Sequence, residues 1–292
     1  MKISILGPRG TFSEEAAHKF SKTPELLLGK DMEEIFESVL SRKADYGIVP
    51  VENSLEGSVG VTLELLQKKD TKICGEIILN IRHSLVALPS VGLPDIKEII
   101  SHPHALAQCK NFIRNLKANT RSFHSTAEAA REIAQQKLKN VAAIAPKIAA
   151  QLYNLKILKE DIQDENRNQT RFLVIATEDH GKTGRDKTSI ILGLKDRPGA
   201  LYDALEGFAL EKINLTKIES RPSRKALGDY VFYIDFEGHR KDARVRKVLR
   251  NLKKRVAFMK ILGSYPLSRN SFICKTLYSY NKPSNSEASY GN

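Results

Sequence analysis

The feature that most constrains the fold is an alternation of short apolar segments with longer amphipathic ones from residue 1 to about residue 178. Such an alternation is typical of an α/β unit, in which helices cover a sheet. The sequences Asp31-Met32-Glu33-Glu34 and Ser125-Thr126-Ala127-Glu128 predict two of the helix starts, because each places an N-cap oxygen three residues before a Glu. The apolar segments predict strands at residues 3–6, 46–51, 73–79, 98–101, 141–144 and 172–176.

The rest of the chain predicts a second, smaller unit. Residues 179–187 are charged, contain two glycines and lack apolar periodicity, so we expect a linker there. Residues 188–267 then follow the order strand, helix, strand, strand, helix, strand, which is the βαββαβ order of a ferredoxin-like unit. Residues 268–292 are rich in Ser, Asn and Tyr, and we expect a mobile tail.

Length and cysteine content indicate the compartment. A chain of 292 residues is long enough to bury two or three cores without disulfides. Cys74, Cys109 and Cys274 lie far apart and form no C-x-x-C pair, which favours a reducing compartment and argues against structural zinc. The first apolar run is too short for a signal peptide, and no stretch is long enough to span a membrane. We therefore expect a cytoplasmic protein with no membrane partner.

The net charge of +13 is concentrated in one segment. Residues 240–255 contain nine basic residues and one acidic residue, and four apolar residues in this segment share one helix face: Val245, Val248, Leu249 and Leu252. The pattern indicates a helix with a solvated basic face. No aromatic residue stands among the charges to stack on bases, so nucleic acid is not the expected partner. A ligand-responsive nucleic-acid regulator is the alternative from a different functional class.

Four polar clusters follow or enter predicted strands, where ligands of α/β sheets bind. They are Gly7-Pro8-Arg9-Gly10-Thr11-Phe12-Ser13, residues 50–59, Ser101-His102-Pro103-His104 and Asn168-Gln169-Thr170-Arg171-Phe172. The first can turn backbone amides and a helix N-terminus toward an anion, but its spacing fits neither a dinucleotide fingerprint nor a P-loop. The two histidines of the third are not expected to bind a metal.

The fourth cluster offers two different donors. Arg171 is a fork-shaped donor suited to a carboxylate, and Thr170 provides a hydroxyl. Because side chains alternate along a strand, both residues can contact one ligand only if the chain is irregular at that point.

The order and spacing of these clusters resemble the prephenate dehydratase family. The resemblance rests on five segments: 7–13, 50–57, 101–103, 125–130 and 168–172. It continues in residues 197–201, 214–222 and 262–266, which are similar to the ACT regulatory domain of that family. One residue departs from the family pattern, because His104 stands where a Gln is usual. No helical chorismate mutase module is expected before the first strand, so we expect a monofunctional enzyme.

The resemblance implies an α/β fold with a two-lobed, periplasmic-binding-protein-like catalytic domain and a βαββαβ ACT domain. One lobe would comprise residues 1–79 and 168–178, and the other residues 80–167, with the site between them. The reaction would convert prephenate to phenylpyruvate, carbon dioxide and water without a metal or cofactor. The residues that it implies for catalysis are Thr170, Arg171, Asn53, Ser54 and Thr11, and those for substrate binding are Gly10, Glu52, Gly57, His102 and Phe172. Glu52 and His102 are further candidates for the proton donor.

Regulation is also implied by the resemblance. L-phenylalanine would bind between paired ACT units of a homodimer or homotetramer. Its expected contacts are Gly199, Ala200, Leu201, Asn214, Glu219, Ser220, Arg221 and Pro222. A close alternative activity is that of an arogenate dehydratase, in which an amino group replaces the keto group of the substrate.

Overall fold

The computed structural model describes residues 1–223 and 230–268. The strands are β1 (Lys2–Leu6), β2 (Glu25–Gly29), β3 (Tyr46–Asn53), β4 (Gly57–Ser58), β5 (Lys72–Asn80), β6 (Ser84–Ala87), β7 (Glu98–Ser101), β8 (Asn119–Ser122), β9 (Val141–Ala145), β10 (Lys156–Lys159), β11 (Gln169–Ala176), β12 (Asp186–Gly193), β13 (Leu215–Pro222), β14 (Tyr230–Glu237) and β15 (Phe258–Pro266). The helices are α1 (Phe12–Phe20), α2 (Met32–Leu40), α3 (Gly60–Lys68), α4 (Pro103–Gln108), α5 (Lys110–Leu116), α6 (Thr126–Gln136), α7 (Lys147–Leu152), α8 (Ala200–Leu210) and α9 (Ala243–Arg255). No helix in these two ranges is long and apolar enough to cross a membrane.

The first sheet has the strand order β2-β1-β3-β11-β5, and β4 pairs with β3. Strand β1 runs parallel to its neighbours, whereas β11 runs antiparallel to both β3 and β5. Helix α1 covers one face, where Ala16 and Ala17 pack with Ile3 and Phe172. Helices α2 and α3 cover part of the other face. The central position of β11 means that both of its edges and both of its faces are covered.

The second sheet has the order β10-β6-β9-β7-β8. Helices α4 and α5 pack on one face and α6 and α7 on the other. The chain leaves the first sheet after Asn80 and returns at Gln169, and these two residues are paired neighbours across β5 and β11. The two crossings therefore lie side by side. The result is the predicted two-lobed α/β arrangement, which is confirmed.

The third sheet, with the order β13-β14-β12-β15, is antiparallel throughout, and α8 and α9 pack on one face. The predicted βαββαβ order is confirmed. The four apolar residues predicted to share a face of the basic helix are buried against this sheet. Strand β12 begins at Asp186, inside the segment predicted as a linker. Apart from Ser268, the predicted tail lies outside the described residues.

Five observed strands have no counterpart in the sequence prediction: β2, β4, β6, β8 and β10. Strands β2, β8 and β10 lie at sheet edges. All four residues of β8 are exposed and polar, so its sequence has no apolar alternation to detect. Strand β4 has two residues.

The helix-free face of the third sheet packs directly on the first sheet. Ile191, Tyr233 and Leu262 share a core with Ile73 and Leu173 of the first sheet. Strand β15 approaches β5 so closely that a Cβ atom at Gly263, whose φ is +153°, would lie 2.1 Å from the Ile73 carbonyl oxygen. Only glycine fits at this point.

A buried ion network fixes this contact. The Arg171 guanidinium donates to Glu76 Oε2 at 2.8 Å, to Asp235 Oδ2 at 2.6 Å and to the Tyr265 hydroxyl at 2.9 Å. Lys187 Nζ lies 2.9 Å from the same Glu76 oxygen. Arg171 and Glu76 belong to the first sheet, and the other three residues belong to the third. The network therefore joins strand β11 to the C-terminal unit.

The network also shifts the pKa values of its members. Burial alone would raise the pKa of Glu76 and of Asp235, but the charges of Arg171 and Lys187 outweigh burial and lower both pKa values. Burial alone would lower the pKa of Arg171, but the neighbouring Asp235 carboxylate holds the Arg171 pKa well above its ordinary value. Both carboxylates and the guanidinium are therefore charged at neutral pH.

We predict that Glu76→Gln lowers the free energy of unfolding at pH 7 by about 3–5 kcal/mol, because it leaves Arg171 and Lys187 buried without their shared carboxylate. The pKa of Glu76 lies below its ordinary value of 4.5 in the folded state. Its contribution is therefore present above that pH and is lost as the pH falls further. Urea unfolding at several pH values should show the gap to wild type narrowing below about pH 4.5.

The matched control is Glu98→Gln, which removes a surface pair with Arg121 that is 3.1 Å long. The control should lose no more than about 1 kcal/mol. Equal losses in both variants would contradict the role given to the buried network.

Candidate active site

Thr170 and Asn53, both predicted for catalysis, lie on neighbouring strands and face the same way. Thr170 of β11 is paired with Asn53 of β3, and Arg171 is paired with Glu52. Thr170 shares its face with Phe172 and the α1 side of the sheet, whereas Arg171 faces the third sheet. The register shift between β11 and β3 comes after Arg171 and leaves this division unchanged.

Arg171, predicted to clamp a substrate carboxylate, directs its side chain away from Thr170 in this structure. Its side chain is 12% exposed and already donates to Glu76, Asp235 and Tyr265 on the face opposite Thr170. Glu52 shares that face, and its Oε2 lies 3.2 Å from Lys217 Nζ of β13. The Glu52 carboxylate, predicted to contact the substrate, therefore faces the C-terminal unit.

Phe172, predicted to contact the substrate, is part of a hydrophobic core. It is 2% exposed and packs with Ile5 and Ala16 beneath α1. The ring supports the strand that carries Thr170, since residues two apart on a strand share a face.

Asn53 determines which way the Thr170 hydroxyl can donate. The Asn53 Oδ1 atom accepts from the backbone amides of Leu55 at 2.9 Å and Glu56 at 3.0 Å, which fixes the orientation of its side-chain amide. Its Nδ2 atom then donates to Thr170 Oγ1 at 2.8 Å. Because the Thr170 oxygen accepts this bond, its own hydrogen remains available to donate elsewhere. An oxygen that accepts one bond is also a better donor in the next.

The same amide orientation continues through a chain of side chains across the two lobes. Asn53 Nδ2 donates to Asn168 Oδ1 at 2.7 Å, and Asn168 Nδ2 donates to Gln108 Oε1 at 2.8 Å. Gln108 Nε2 donates to Glu56 Oε1 at 3.2 Å. The second Glu56 oxygen lies 2.7 Å from His104 Nδ1. Backbone amides at one end and a carboxylate at the other therefore fix the polarity of every member.

Gln108 was not among the predicted site residues. It is the last residue of α4, one helical turn beyond the Ser-His-Pro sequence that marked this loop. The only sequence signal for Gln108 as a site residue was its polar side chain on a short helix. His104 provides a contact between the lobes through Glu56.

The remaining predicted site residues lie around this chain. Ser54 Oγ donates to the Arg167 carbonyl and accepts from the Gln169 amide, so it joins the loop after β3 to the start of β11. Gly57 has a φ of +81° and open space around it. His102 is the N-cap of α4, and its Nδ1 accepts from the His104 amide. Burial lowers the pKa of His102, the His104 charge adds to this effect, and Glu56 opposes it.

The turn before α1 contacts the second lobe directly. Gly10 has a φ of +85°, and a Cβ atom there would lie 3.1 Å from Ala149 Cα of α7. The Tyr153 hydroxyl donates to the Arg9 carbonyl at 2.9 Å. Thr11 Oγ1 accepts from the Glu14 amide and caps α1. The lobes are therefore closed over this turn, and glycine is required for the approach.

The predicted regulatory residues lie at two ends of the third sheet. Gly193, at the end of β12, belongs to the same row of the sheet as Val231 and Arg221, so Gly199 follows nearby after a short loop. Asn214 precedes β13 at the opposite end, where its carbonyl accepts from the Glu237 amide. One copy of the chain therefore does not bring Asn214 together with Gly199.

Alternate residues of β13 face the first sheet. Glu219 Oε2 accepts from Ser58 Oγ at 2.6 Å and lies 3.0 Å from Lys217 Nζ. Lys217 also contacts Glu52, and the Arg221 guanidinium packs where a side chain at Gly60 would lie. The regulatory strand thus contacts the segment 52–60, which contains Asn53.

Both units of the chain match families of known proteins. The family model described as prephenate dehydratase matches residues 3–180, which is well over half of the chain. The chain belongs to the prephenate dehydratase family. The ACT domain model matches residues 188–254. Within the described residues of this family member, no three His, Cys, Asp or Glu side chains are grouped so that they could hold a metal ion.

Relatives with names from the prephenate dehydratase family match across both units. A bifunctional chorismate mutase/prephenate dehydratase of Aquifex aeolicus is 45% identical over 269 residues, covering 91% of this chain and 74% of the relative. An arogenate dehydratase/prephenate dehydratase of Arabidopsis thaliana is 41% identical over 278 residues, covering 91% and 73%. The structure of an Arthrobacter aurescens prephenate dehydratase in complex with L-Phe has a TM-score of 0.84 and 35% identity, covering 91% of this chain and 90% of that one.

We predict that Asn53→Asp abolishes the polarity of the chain while keeping its shape. One oxygen of the new carboxylate still accepts from the amides of Leu55 and Glu56, but the other can no longer donate to Thr170. The Thr170 hydroxyl would then donate to that carboxylate in place of the substrate. Dehydratase turnover should fall by about 10²- to 10³-fold, the usual effect of losing one donor to a developing oxyanion.

The control for this change is Asn111→Asp. The Asn111 Oδ1 atom accepts from an Arg114 guanidinium nitrogen at 3.4 Å on the exposed surface, and a carboxylate accepts equally well. Asn111→Asp should leave turnover within about threefold of wild type. A similar loss in both variants would contradict the polarity argument.

Proposed function

We propose that the protein converts prephenate to phenylpyruvate, carbon dioxide and water, and that residues 1–178 form the catalytic unit. The observation that supports this most directly is the Thr170 hydroxyl, held as a donor by Asn53 at the boundary of two closed lobes. We further propose that the enzyme acts in the cytoplasm without a cofactor. Aromatisation of the ring drives the reaction, so no electron acceptor is needed.

The chemistry requires a donor at the leaving oxygen. As the ring carboxylate departs as carbon dioxide, its bonding electrons enter the ring and the C–O bond to the ring hydroxyl breaks. The departing oxygen gains negative charge and takes up a proton to become water. Thr170 stabilises that oxygen by donating a hydrogen bond, with the acceptance from Asn53 strengthening it.

The substrate is a dianion, and positive groups other than Arg171 must receive it. A cavity of about 540 Å³ lies between α1 and α7, with Arg82, Lys147 and His18 among its lining residues. Asn80 also lines this cavity and accepts from Gln169, the residue beside Thr170. We propose that Arg82 and Lys147, which also contact Asp161 and Glu160, attract the substrate carboxylates. Further contacts would come from Thr11, Ser54, His102 and the backbone of Gly10 and Gly57.

Regulation by L-phenylalanine is the second part of the proposal. The Arthrobacter aurescens relative was solved with L-Phe. In this chain Gly199, Ala200 and Leu201 lie near one end of the third sheet, with Glu219, Ser220, Arg221 and Pro222 on β13. Asn214 lies at the other end, so a site that uses both ends requires a second copy. We propose a homodimer or homotetramer whose paired ACT units hold the ligand between them.

The regulatory strand offers a short route to the catalytic unit. A ligand that draws Glu219 or Arg221 away from segment 52–60 would release Ser58 and change the balance of Lys217 between Glu219 and Glu52. Asn53, next to Glu52, orients Thr170. The coupling free energy expected for such a contact is about 1–3 kcal/mol.

The test is phenylpyruvate formation by the full chain from prephenate, with arogenate as the competing substrate and L-phenylalanine as the effector. We expect turnover of prephenate to exceed that of arogenate, and L-phenylalanine to change activity about 5- to 150-fold. A higher rate with arogenate would favour the alternative activity. Turnover of neither substrate by folded protein would overturn the catalytic proposal, and no effect of L-phenylalanine would overturn the regulatory one.

A further inference from the structure

His83 is a buried titratable residue beside the site that the mechanism above does not use. It lies between β5 and β6, where the chain enters the second lobe, and it is 3% exposed. Its Nε2 atom lies 3.0 Å from Gln108 Oε1. The ring of Phe12, from the first lobe, packs edge-on at 5.8 Å. The His83 backbone amide donates to Gln163 Oε1 at 3.0 Å.

The polarity of the neighbouring chain determines where the His83 proton lies. Gln108 Oε1 must be an acceptor, because Asn168 Nδ2 donates to it and Gln108 Nε2 donates to Glu56. Reversing the Gln108 amide would require reversing Asn168 and then Asn53, and that would set an NH2 group against two backbone amides. His83 Nε2 must therefore be the protonated nitrogen.

The other ring nitrogen is then an unprotonated acceptor. Burial lowers the pKa of His83 and outweighs the Gln108 hydrogen bond, so the ring is neutral at physiological pH. His83 Nδ1 is buried and has no hydrogen-bond partner among the residues that the structure describes. A proton on Nδ1 would be a buried donor without an acceptor, which disfavours both the Nδ1–H tautomer and the charged ring.

We propose that His83 is a positioning residue for the dehydratase reaction. It acts as a neutral donor that holds Gln108 in the one orientation compatible with a donating Thr170. The inference rests on the proposed function for its kinetic consequence, whereas the tautomer follows from the hydrogen-bond geometry alone. Through Phe12 the same ring also contacts the first lobe, so the orientation of Gln108 is tied to lobe closure.

The tautomer is tested without reference to activity by two-bond ¹H–¹⁵N correlation spectra of the full chain labelled at histidine. The sequence has seven histidines, and His83→Gln identifies the signal by its loss. We expect the Nε2–H tautomer at neutral pH, with a pKa for His83 below the ordinary value of 6.5. The Nδ1–H tautomer, or a pKa at or above 6.5, would overturn the inference.

The positioning role is tested by comparing His83→Gln with His83→Leu. The Gln amide can place an N–H near the position of His Nε2, whereas Leu has a similar volume and no donor. We expect kcat to fall by about 5- to 10-fold in His83→Leu, with KM little changed, and His83→Gln to restore most of it. The stability of both variants is measured by urea unfolding.

Equal losses of kcat in the two variants at equal stability would overturn the positioning role. A third comparison adds His83→Leu to Asn53→Asp. If both residues act through Gln108 and Asn168, the double variant should be nearly as active as Asn53→Asp alone. Full additivity would mean that His83 acts by a separate route, which would also overturn the role. Absence of turnover in the wild type would overturn the proposed function, while the spectra would still decide the tautomer.

Discussion

The alternation of side chains along β11 is the constraint on which the rest of the structure depends. Residues one apart on a strand face opposite sides of the sheet. In β11 this places Thr170 at the boundary between the lobes and Arg171 in the contact with the third sheet. A single strand therefore belongs to both the candidate site and the interface with the regulatory unit.

The two faces of β11 use polar groups for different purposes. On the Arg171 face, opposite charges compensate one another in a buried network that joins two sheets. On the Thr170 face, neutral amides orient one hydroxyl by the direction of their hydrogen bonds. The first arrangement depends on charge and the second on donor polarity. An isosteric change from amide to carboxylate therefore affects the second far more than its small change in shape suggests.

The sequence predicted most of what depends on local patterns. The apolar strands and the buried face of the basic helix followed from periodicity, and two helix starts followed from their capping residues. Strand β8 could not be predicted, because its residues are polar and only its neighbour β7 makes it a strand.

The site was predicted less completely than the fold. Alternation along the strand predicted that Thr170 and Arg171 face opposite sides of the sheet. Which of the two faces the lobe boundary depends on where the third sheet packs. Nothing local to Arg171 reveals Asp235, 64 residues away. Gln108 and His83 also owe their place to contacts distant in sequence, at separations of 60 and 25 residues. A sequence motif indicates which residues lie near a site, but it does not indicate the direction of their hydrogen bonds.

The central claim is that Arg171 supports the strand and does not bind the substrate. The most direct measurement is made on Arg171→Met, for which the KM for prephenate and the free energy of unfolding are both determined. A second variant adds Asp235→Asn, which removes the charge of one carboxylate that Arg171→Met leaves buried without its partner. We expect a KM within about threefold of wild type and a free energy of unfolding lower by about 3–5 kcal/mol in the single variant. A KM raised about 100-fold with stability unchanged would contradict the claim, because that is the signature of a lost substrate contact.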